Sequence, residues 1–311
     1  MFYKDNWLSW TYDDGPLYGP KLTPQSTFKI TLSNAITRPI KSYYEELLEN
    51  ARIIRDTFSG DLDLLLSGGV DSEVILRTYC DLKIPINVYI FKYENGYNLQ
   101  EYNRAISTCS ELNVKPRIIN FNLEKFFENE AYDIWTKVYS ATSGWLPHLK
   151  MTEYCDGLPI IGSGESYIRR TSRDLSKKFP WVFELDEKCH HWAVYHKTIN
   201  RPAITDWYEY SPELTASYFT LPFVQDLLND KVPGKLSNES TKAFVHQTYW
   251  PTLQDRTKLI GFEGAEQQFK NPGVPPFMLE FGYQYGGTRG EKVKLTAQTY
   301  TEQELLRLIG A

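Results

Sequence analysis

The sequence predicts an α/β protein built on a doubly wound parallel sheet, with a mainly helical carboxyl-terminal part. Between about residues 60 and 165, short apolar runs alternate with segments of helical spacing, which is the pattern of βαβ units. Two of these apolar runs end in glycine turns, at residues 68–69 and 162–164. Because parallel strands open onto one edge of a sheet, the two turns are expected to share a cleft.

The elements follow in order from their hydrophobic periodicity. Alternating apolar residues at 28, 30 and 32 predict one strand in an amino-terminal extension. Apolar residues three and four apart predict a helix over residues 40–58, which ends at Ser59-Gly60. The next predicted elements are a strand over 62–66, helix 70–82, strand 86–93, helix 98–112, strand 117–121, one long helix 123–139 and strand 158–161.

Beyond about residue 175 the strand-helix alternation gives way to hairpins and helices. Residues 181–185 and 192–195 are predicted to be strands that form a hairpin. Ser211-Pro212 and the capping box at Thr301 each predict the start of a helix, and further helices are predicted over 221–229 and 241–249. The predicted division is therefore an extension at 1–37, an α/β domain at 38–175 and a mainly helical region at 176–311.

The composition is that of a soluble globular protein, with 41% hydrophobic and 23% charged residues. The formal net charge of −5 gives no global basic field for nucleic acid. The four cysteines form no Cys-x-x-Cys pair, which argues against a zinc ribbon. We find no signal peptide and no apolar run of the length that spans a bilayer, so we expect a cytoplasmic protein with free thiols and no membrane partner.

The chain is organised around Ser67-Gly68-Gly69-Val70-Asp71-Ser72, between a buried strand and a helix. Glycines let an anion approach the backbone, and the first N–H groups of a helix point outward without partners. The helix dipole also favours negative charge at this end. The two serine hydroxyls add donors on either side, so the stretch predicts a phosphate or pyrophosphate site. The simpler interpretation is a glycine turn capped by Asp71.

This string resembles the pyrophosphate loop of the PP-loop ATP pyrophosphatases, whose pattern is Ser-Gly-Gly-x-Asp-Ser. No Gly-Lys-Ser/Thr follows, so it is not a Walker A loop. The resemblance implies ATP and Mg²⁺ as cofactors, with Ser67, Gly68, Gly69, Val70, Asp71 and Ser72 on pyrophosphate. It further implies Asp71 as a Mg²⁺ ligand and Ile90 and Phe91 as the backbone that reads adenine. Glu73 departs from the family, and either faces away from the phosphates or helps to hold Mg²⁺.

Two further segments resemble the synthetase domain of asparagine synthetases. Ser163-Gly164-Glu165 follows the fourth strand, and the resemblance implies that the carboxylate of Glu165 works in the substrate pocket. The longer acidic string of that family is not kept. The stretch from Tyr249 to Phe262 resembles the family's carboxyl-terminal signature, which implies that Lys258 stabilises the charge that develops on adenylylation. A turn with an exposed glutamate and a solvated basic turn are the structural alternatives.

A basic run, Arg169-Arg170 with Arg173, Lys177 and Lys178, could hold a phosphate, a carboxylate substrate or an RNA backbone. A solvated helix face is the more common meaning of such a run. Arg256 is a further candidate contact. His190, His191 and His196 have no ligand-spaced partners, so we expect a structural or substrate-contact role and no metal.

These features together predict an ATP-dependent, asparagine synthetase-like ligase that forms AMP and pyrophosphate. It would adenylylate a carboxylate or amide oxygen of a small molecule, which ammonia or an amine then attacks. Phe2 stands where a glutaminase nucleophile would follow Met1, so we expect no glutaminase and allow for a separate ammonia source. Two alternatives stay open: a nucleobase- or tRNA-modifying enzyme of the same superfamily, and a nucleotide-binding protein without turnover.

Overall fold

The computed structural model describes residues 7–140, 142–163, 168–170, 180–231, 245–253, 275–286, 293 and 297–311. At residues 169–170, 186–190 and 286 only the backbone is described. The strands are β1 (Leu8–Tyr12), β2 (Phe28–Leu32), β3 (Leu62–Leu65), β4 (Asn87–Tyr93), β5 (Arg117–Phe121), β6 (Leu158–Ile160), β7 (Ile168–Arg170), β8 (Trp181–Asp186) and β9 (Ala297–Tyr300). The helices are α1 (Tyr43–Thr57), α2 (Val70–Asp81), α3 (Leu99–Glu111), α4 (Leu123–Asn129), α5 (Ala131–Val138), α6 (Leu146–Met151), α7 (Glu187–Thr198), α8 (Pro212–Phe219), α9 (Pro222–Leu228), α10 (Pro276–Phe281) and α11 (Glu302–Ile309).

The central sheet is parallel and has the strand order β5-β4-β3-β6. The chain therefore moves outward from β3 to β5 and then returns to place β6 on the other side of β3. This reversal is the topological switch point of a doubly wound sheet, and ligands bind at the carboxyl ends of the strands beside it. The predicted fold class is confirmed by this order.

A fifth segment extends the sheet beyond β6. Ile204 forms a parallel bridge with Ile160, its N–H donates to the Pro159 carbonyl at 2.8 Å, and its carbonyl accepts from Ile161 at 3.0 Å. The residues that follow Ile204 are consequently delivered to the same edge of the sheet as the residues that follow β6.

The core strands of this sheet are buried almost completely. Leu62 and Leu64 of β3 are 1% and 0% exposed, and Val88 and Ile90 of β4 are each 1% exposed. Burial on both faces explains why these strands are continuous apolar runs in the sequence, as parallel strands usually are. Asp63 is a buried exception, since its carboxylate accepts from Asn87 Nδ2 at 2.8 Å and from Gly157 N–H at 2.6 Å.

Two antiparallel sheets accompany the parallel one. β1 and β2 form a hairpin, of which the sequence predicted one strand, and β7, β8 and β9 form a three-stranded sheet. The hairpin adjoins the three-stranded sheet, because Ile30 N–H donates to Gln298 Oε1 at 2.6 Å. The amino-terminal and carboxyl-terminal parts of the described chain are therefore in contact. The predicted division of the chain into three parts stays a prediction.

Two predicted elements differ from the structure. Residues 192–195 lie in helix α7 rather than in a strand, and all four side chains are at most 5% exposed. A short run that is buried on every side has no periodicity that separates a helix from a strand. The predicted long helix over 123–139 is two helices, α4 and α5, that meet at Glu130, where φ is −126°.

Candidate active site

The Ser67–Ser72 loop joins β3 to α2 at the switch point of the parallel sheet. The two serine hydroxyl oxygens lie 3.1 Å apart, and Ser67 N–H donates to Ser72 Oγ at 3.2 Å. Gly69 N–H is 3.3 Å from Ser67 Oγ. These bonds draw the loop into a closed turn with its two hydroxyls side by side. Ser67 itself is exposed, so this turn presents hydroxyl and amide donors to the cleft.

Gly68 is required by the geometry of this turn. Its φ is +80°, which is a left-handed conformation, and an added Cβ would lie 2.3 Å from the backbone oxygen of Glu101. The loop is therefore packed directly under the first turn of α3. No side chain can be added at Gly68 without moving one of these two backbones.

Helix α2 begins at the loop with a glycine as its capping residue. Gly69 has no side chain that could accept the first N–H groups of the helix. Because the helix is 12 residues long, its dipole contributes partial positive charge at this end. The start of α2 accordingly fits an anion such as a phosphate or a pyrophosphate. The lack of a side-chain cap from Gly69 at the start of α2 is the observation that makes the phosphates of a nucleotide fit this site.

Glu73 faces away from the loop. Its side chain is 1% exposed and accepts from Arg77 at 3.0 Å and 2.8 Å, while Thr108 Oγ1 of α3 donates to its other oxygen at 3.1 Å. Arg77 also pairs with Glu111 at 2.8 Å. The charge of Glu73 is thus balanced within the α2–α3 interface. Of the two possibilities raised by the sequence, the structure supports the one in which Glu73 does not hold Mg²⁺.

Asp71 lies in the first turn of α2 and is half-buried. Its backbone carbonyl accepts from the Tyr208 hydroxyl at 2.8 Å. Tyr208 belongs to a short 3-10 turn, Trp207–Glu209, which is further fixed because Asn50 Nδ2 donates to the Trp207 carbonyl at 2.7 Å. The position of the Asp71 backbone is therefore held from outside the loop, by a contact that the sequence did not indicate.

The carboxyl ends of β6 and of the Ile204 segment meet beside the loop. A Cβ on Gly162 would lie 3.0 Å from the Ser72 nitrogen, so this strand end is in contact with the start of α2. Ser163 Oγ donates to the Thr205 carbonyl, and Thr205 Oγ1 donates to Asp206 Oδ2 at 3.0 Å. Asp206 is thereby held next to the end of β6 as a half-buried carboxylate. This position of Asp206 depends on the bridge between Ile160 and Ile204, which is a long-range contact that the spacing of the residues does not indicate.

The end of β4 forms the other wall of the cleft. Ile90 and Phe91 are 1% and 7% exposed, so they offer little surface to a ligand, and their predicted contact with adenine stays a prediction. Asn98, half-buried just before α3, bonds to this edge through both atoms of its amide. Its Nδ2 donates to the Phe91 carbonyl at 2.9 Å, and its Oδ1 accepts from Tyr93 N–H at 2.8 Å.

Several predicted site residues fall outside the described part of the chain. Glu165, Arg256 and Lys258 are not described, and their roles stay predictions. Arg169 and Arg170 are described by their backbone, which forms β7 and pairs with Val182 and Trp181 of β8. The alternative in which these two arginines form a solvated helix face is therefore wrong, while their proposed contacts to a phosphate or substrate stay untested.

The segment that precedes Lys258 is anchored at the far ends of two helices. Trp250 Nε1 donates to Asp81 Oδ2 at 3.0 Å, and Thr252 Oγ1 donates to Glu111 Oε1 at 2.8 Å. Asp81 and Glu111 are the last residues of α2 and α3. Since both helices begin at the cleft, these anchors lie about 16 Å from it along α2 at 1.5 Å per residue.

His196, Cys109 and Cys155 are buried side chains. His196 is 2% exposed, its Nδ1 lies 3.2 Å from the Arg201 carbonyl, and burial lowers its pKa to about 4. Burial raises the pKa of the Cys109 thiol to about 11 and that of Cys155 to about 12, so neither is a thiolate at neutral pH. Among the described residues, no three His, Cys, Asp or Glu side chains gather into a metal site, and no helix has the length and apolar character needed to cross a membrane.

Comparisons with known proteins found likeness in structure alone. No family model matches the chain, and no curated protein sequence matches it. Among solved structures, an NMN synthetase from Francisella tularensis is 14% identical with a TM-score of 0.34, over 82% of this chain and 96% of that one. An NH3-dependent NAD synthetase from Campylobacter jejuni, solved with a nitrate ion, is 14% identical with a TM-score of 0.31, over 80% of this chain and 94% of that one. The assignment of the fold rests on the strand order and connections given above.

Fold and loop together define the class of the protein. It is a parallel, doubly wound α/β protein with a Ser-Gly-Gly-Val-Asp-Ser turn, suited to an anion, at its switch point.

Proposed function

We propose that this protein is an ATP-dependent ligase that releases AMP and pyrophosphate. The observation that carries the proposal is the closed Ser67–Ser72 turn at the start of α2, with Gly68 locked in a left-handed conformation under α3. A turn of this shape offers amides and hydroxyls to an anion but no lysine of the Walker type. It is suited to holding the β and γ phosphates of ATP as the leaving group.

Each residue of the loop has a role in this proposal. Ser67, Ser72 and the amides of Gly68, Gly69 and Val70 bind pyrophosphate. Asp71 would hold a divalent cation that offsets its negative charge, and Mg²⁺ suits this role because it prefers one or two carboxylates together with phosphate oxygens. When ATP is bound, it supplies the adenylyl group that activates an acceptor oxygen.

The acceptor is a carboxylate or amide oxygen of a small molecule, and ammonia or an amine is the nitrogen donor. Glu165 orients the acceptor or takes the proton of the amine, and Lys258 stabilises the negative charge that develops at the α phosphate. Asp206 is joined to the end of β6 through Thr205 and Ser163, and its assignment to the acceptor side of the cleft is part of the proposal. We assign it the attraction of the cationic nitrogen donor. Arg169, Arg170 and Arg256 are candidate contacts for the substrate.

A nitrogen-labelling experiment tests this proposal. The full chain is incubated with ATP, Mg²⁺, a desalted small-molecule extract and ¹⁵N-ammonium, and the products are resolved by mass spectrometry. The proposal predicts one new metabolite that carries a single ¹⁵N and forms in equal amount to AMP. Ser67→Ala protein should form neither product. AMP without a labelled product would instead point to an amine other than ammonia as the donor, which a panel of amines would identify.

A protein that binds a nucleotide without turnover is the second candidate. The Asn98 amide engages the Phe91 carbonyl and the Tyr93 N–H, so these groups do not fix a bound base in one orientation for reaction, which favours binding without turnover. ATP binding in the absence of AMP formation under every acceptor would support this candidate.

A further inference from the structure

The side chain of Asn98 forms hydrogen bonds with the backbone edge of β4 next to the loop. Leu66 N–H donates to the Tyr89 carbonyl at 2.9 Å, so Tyr89 directs its backbone polar groups toward β3. Successive residues of a strand alternate in this respect, so Phe91 and Tyr93 direct theirs to the same side. β3 ends at Leu65 and the chain turns away at Gly68, so no strand among the described residues pairs with this part of the edge.

Asn98 occupies the vacated edge through two good hydrogen bonds. The amide nitrogen donates to the Phe91 carbonyl at 2.9 Å, and the amide oxygen accepts from Tyr93 N–H at 2.8 Å. Both partners are backbone groups with fixed donor and acceptor character, so the orientation of the amide is set. Asn98 is also the residue that begins α3, yet its side chain does not cap that helix. The contact with β4 is therefore made in place of the ordinary capping bond.

An asparagine amide and an adenine edge offer the same pattern. Adenine presents an amino donor beside a ring-nitrogen acceptor, and this is why asparagine and adenine are good bidentate partners for one another. Toward a strand edge, the Nδ2 and Oδ1 of Asn98 stand in for the amino group and the ring acceptor of the base. The Asn98 amide thus fills the donor and acceptor positions that an adenine would take on Phe91 and Tyr93.

We infer that Asn98 is the residue that sets base selectivity in this cleft, by competing with adenine for the β4 edge. This inference rests on the proposed function, since it concerns the nucleotide of the same site. In the protein as it stands, nucleotide affinity comes mainly from the phosphates at the Ser67–Ser72 loop, and discrimination between adenine and guanine is weak. Removal of the Asn98 amide exposes the edge and creates adenine selectivity.

The test compares binding of three probes to the full chain by calorimetry in the presence of Mg²⁺. The probes are the α,β-methylene analogues of ATP and GTP, which are not cleaved, and pyrophosphate, which has no base. Asn98→Ala removes both bonds to β4. Asn98→Asp keeps the acceptor for Tyr93 N–H but cannot donate to the Phe91 carbonyl, so it frees that carbonyl alone. The charge that this aspartate adds repels all three phosphate probes, but it acts equally on the ATP and GTP analogues, which carry the same triphosphate, and cancels in their ratio.

Asn122→Ala is the matched control. Asn122 stands at the next strand-to-helix junction, where its side chain accepts from Lys125 N–H at 2.9 Å and caps α4 in the ordinary way. It does not bond to the edge of β4 in the way that Asn98 does. Thermal unfolding of each variant shows whether the fold is kept.

In the wild-type protein we expect the ATP and GTP analogues to bind with affinities within about tenfold of each other. In Asn98→Ala and Asn98→Asp, the affinity for the ATP analogue relative to the GTP analogue should rise by about 3- to 10-fold, the worth of one net hydrogen bond. Asn122→Ala should leave this ratio unchanged. A ratio that stays constant or falls in both Asn98 variants would overturn the inference while the proposed function stands. A wild-type protein that binds neither pyrophosphate nor the ATP analogue would overturn both.

Discussion

At the scale of single residues, Gly68 is the position on which the loop depends. Its left-handed φ alone would make most side chains unfavourable, and the nearby Glu101 oxygen removes the space for any Cβ. These two effects can be separated, because Gly96 has a similar φ of +74° but nothing within 4 Å of its Cβ position.

Gly68→Ala should therefore cost far more than Gly96→Ala. We expect about 1 kcal/mol of lost stability for Gly96→Ala, from backbone strain alone. For Gly68→Ala we expect about 3 kcal/mol or more, since two backbones must separate. Pyrophosphate affinity should fall at least tenfold in Gly68→Ala and stay unchanged in Gly96→Ala. Denaturant unfolding and calorimetry measure the two effects, and equal losses in both variants would contradict the packing described for the loop.

Asp206 is the second residue whose role is open to a direct test. With the acceptor identified by the ¹⁵N experiment, Asp206→Asn should raise the KM for ammonium about tenfold or more, because a neutral amide attracts a cation poorly. Pyrophosphate affinity should not change. Asp226→Asn is the control, since Asp226 is an exposed residue of α9 whose carboxylate lies 3.7 Å from Lys231. A loss of pyrophosphate affinity in Asp206→Asn would place the carboxylate at the phosphates instead.

At the scale of elements, α2 has two roles. Its first turn adjoins the Ser67–Ser72 loop, and one of its sides carries a buried ion pair. The Glu73–Arg77 pair, with Thr108 and Glu111, joins α2 to α3 and so holds the first turn of α3 over Gly68. The charged residue that departs from the family pattern is consequently a structural one.

Glu73→Gln should destabilise the fold without changing the site. We expect a loss of about 3 kcal/mol, because among the described residues the buried Arg77 then keeps only the half-exposed Glu111 as a charged partner. Glu49→Gln is the control on α1, where the partly exposed pairs with Lys41 and Arg52 should contribute less than about 1 kcal/mol. Denaturant unfolding measures both losses. The interpretation fails if Glu73→Gln binds Mg²⁺ and pyrophosphate at least tenfold more weakly while its stability is unchanged.

Helix α7 gives the fold a dependence on pH through His196. Burial holds the pKa of this imidazole at about 4, below its ordinary value of 6.5. Between these two values the unfolded chain binds a proton that the folded chain does not. The stabilising contribution is therefore complete above about pH 6.5 and is lost as the pH falls toward 4.

His196→Gln should remove this part of the pH dependence, since glutamine can still donate to the Arg201 carbonyl and does not titrate. Between pH 7 and pH 5, the wild-type protein should lose about 2 kcal/mol more stability than the variant. Denaturant unfolding at the two pH values gives this difference. Parallel losses in both proteins would show that other groups carry the pH dependence.

An element can be predicted from the sequence when the residues that determine it are neighbours in the chain. The Ser67–Ser72 turn, the strand 117–121 and the caps at Ser211 and Thr301 are encoded by neighbouring residues, and the structure confirms each one. The helical state of residues 192–195 is not encoded locally, because all four side chains are buried. The break between α4 and α5 coincides with the polar residues 128–130, where Asn129 Nδ2 donates to the Lys125 carbonyl.

The same limit applies to the site. The loop was visible because its residues are contiguous. The placement of Asp206 and Tyr208 depends on a bridge between residues 160 and 204, and that of Asn98 depends on where β3 ends. Nothing in the spacing of these residues indicates such contacts.

At the scale of the whole molecule, the switch point gathers the ends of four chain segments: β3, β4, β6 and the Ile204 segment. The carboxyl-terminal part must also reach this point if Lys258 acts there. Leu253 follows the anchors at the ends of α2 and α3, about 16 Å from the cleft. Five residues span at most about 17 Å when extended, to which the lysine side chain adds its own length. The distance from Leu253 to the cleft is therefore compatible with the proposed role of Lys258.

The central claim is that the loop releases pyrophosphate, and the nucleotide product tests it most directly. Purified protein is supplied with ATP, Mg²⁺, ammonium and the small-molecule extract, and AMP and ADP are quantified by mass spectrometry. The account predicts AMP and pyrophosphate in equal amounts, with the rate lowered at least 100-fold in Ser67→Ala and Lys258→Ala. ADP and phosphate as the products, or AMP formation that persists in Ser67→Ala, would contradict it.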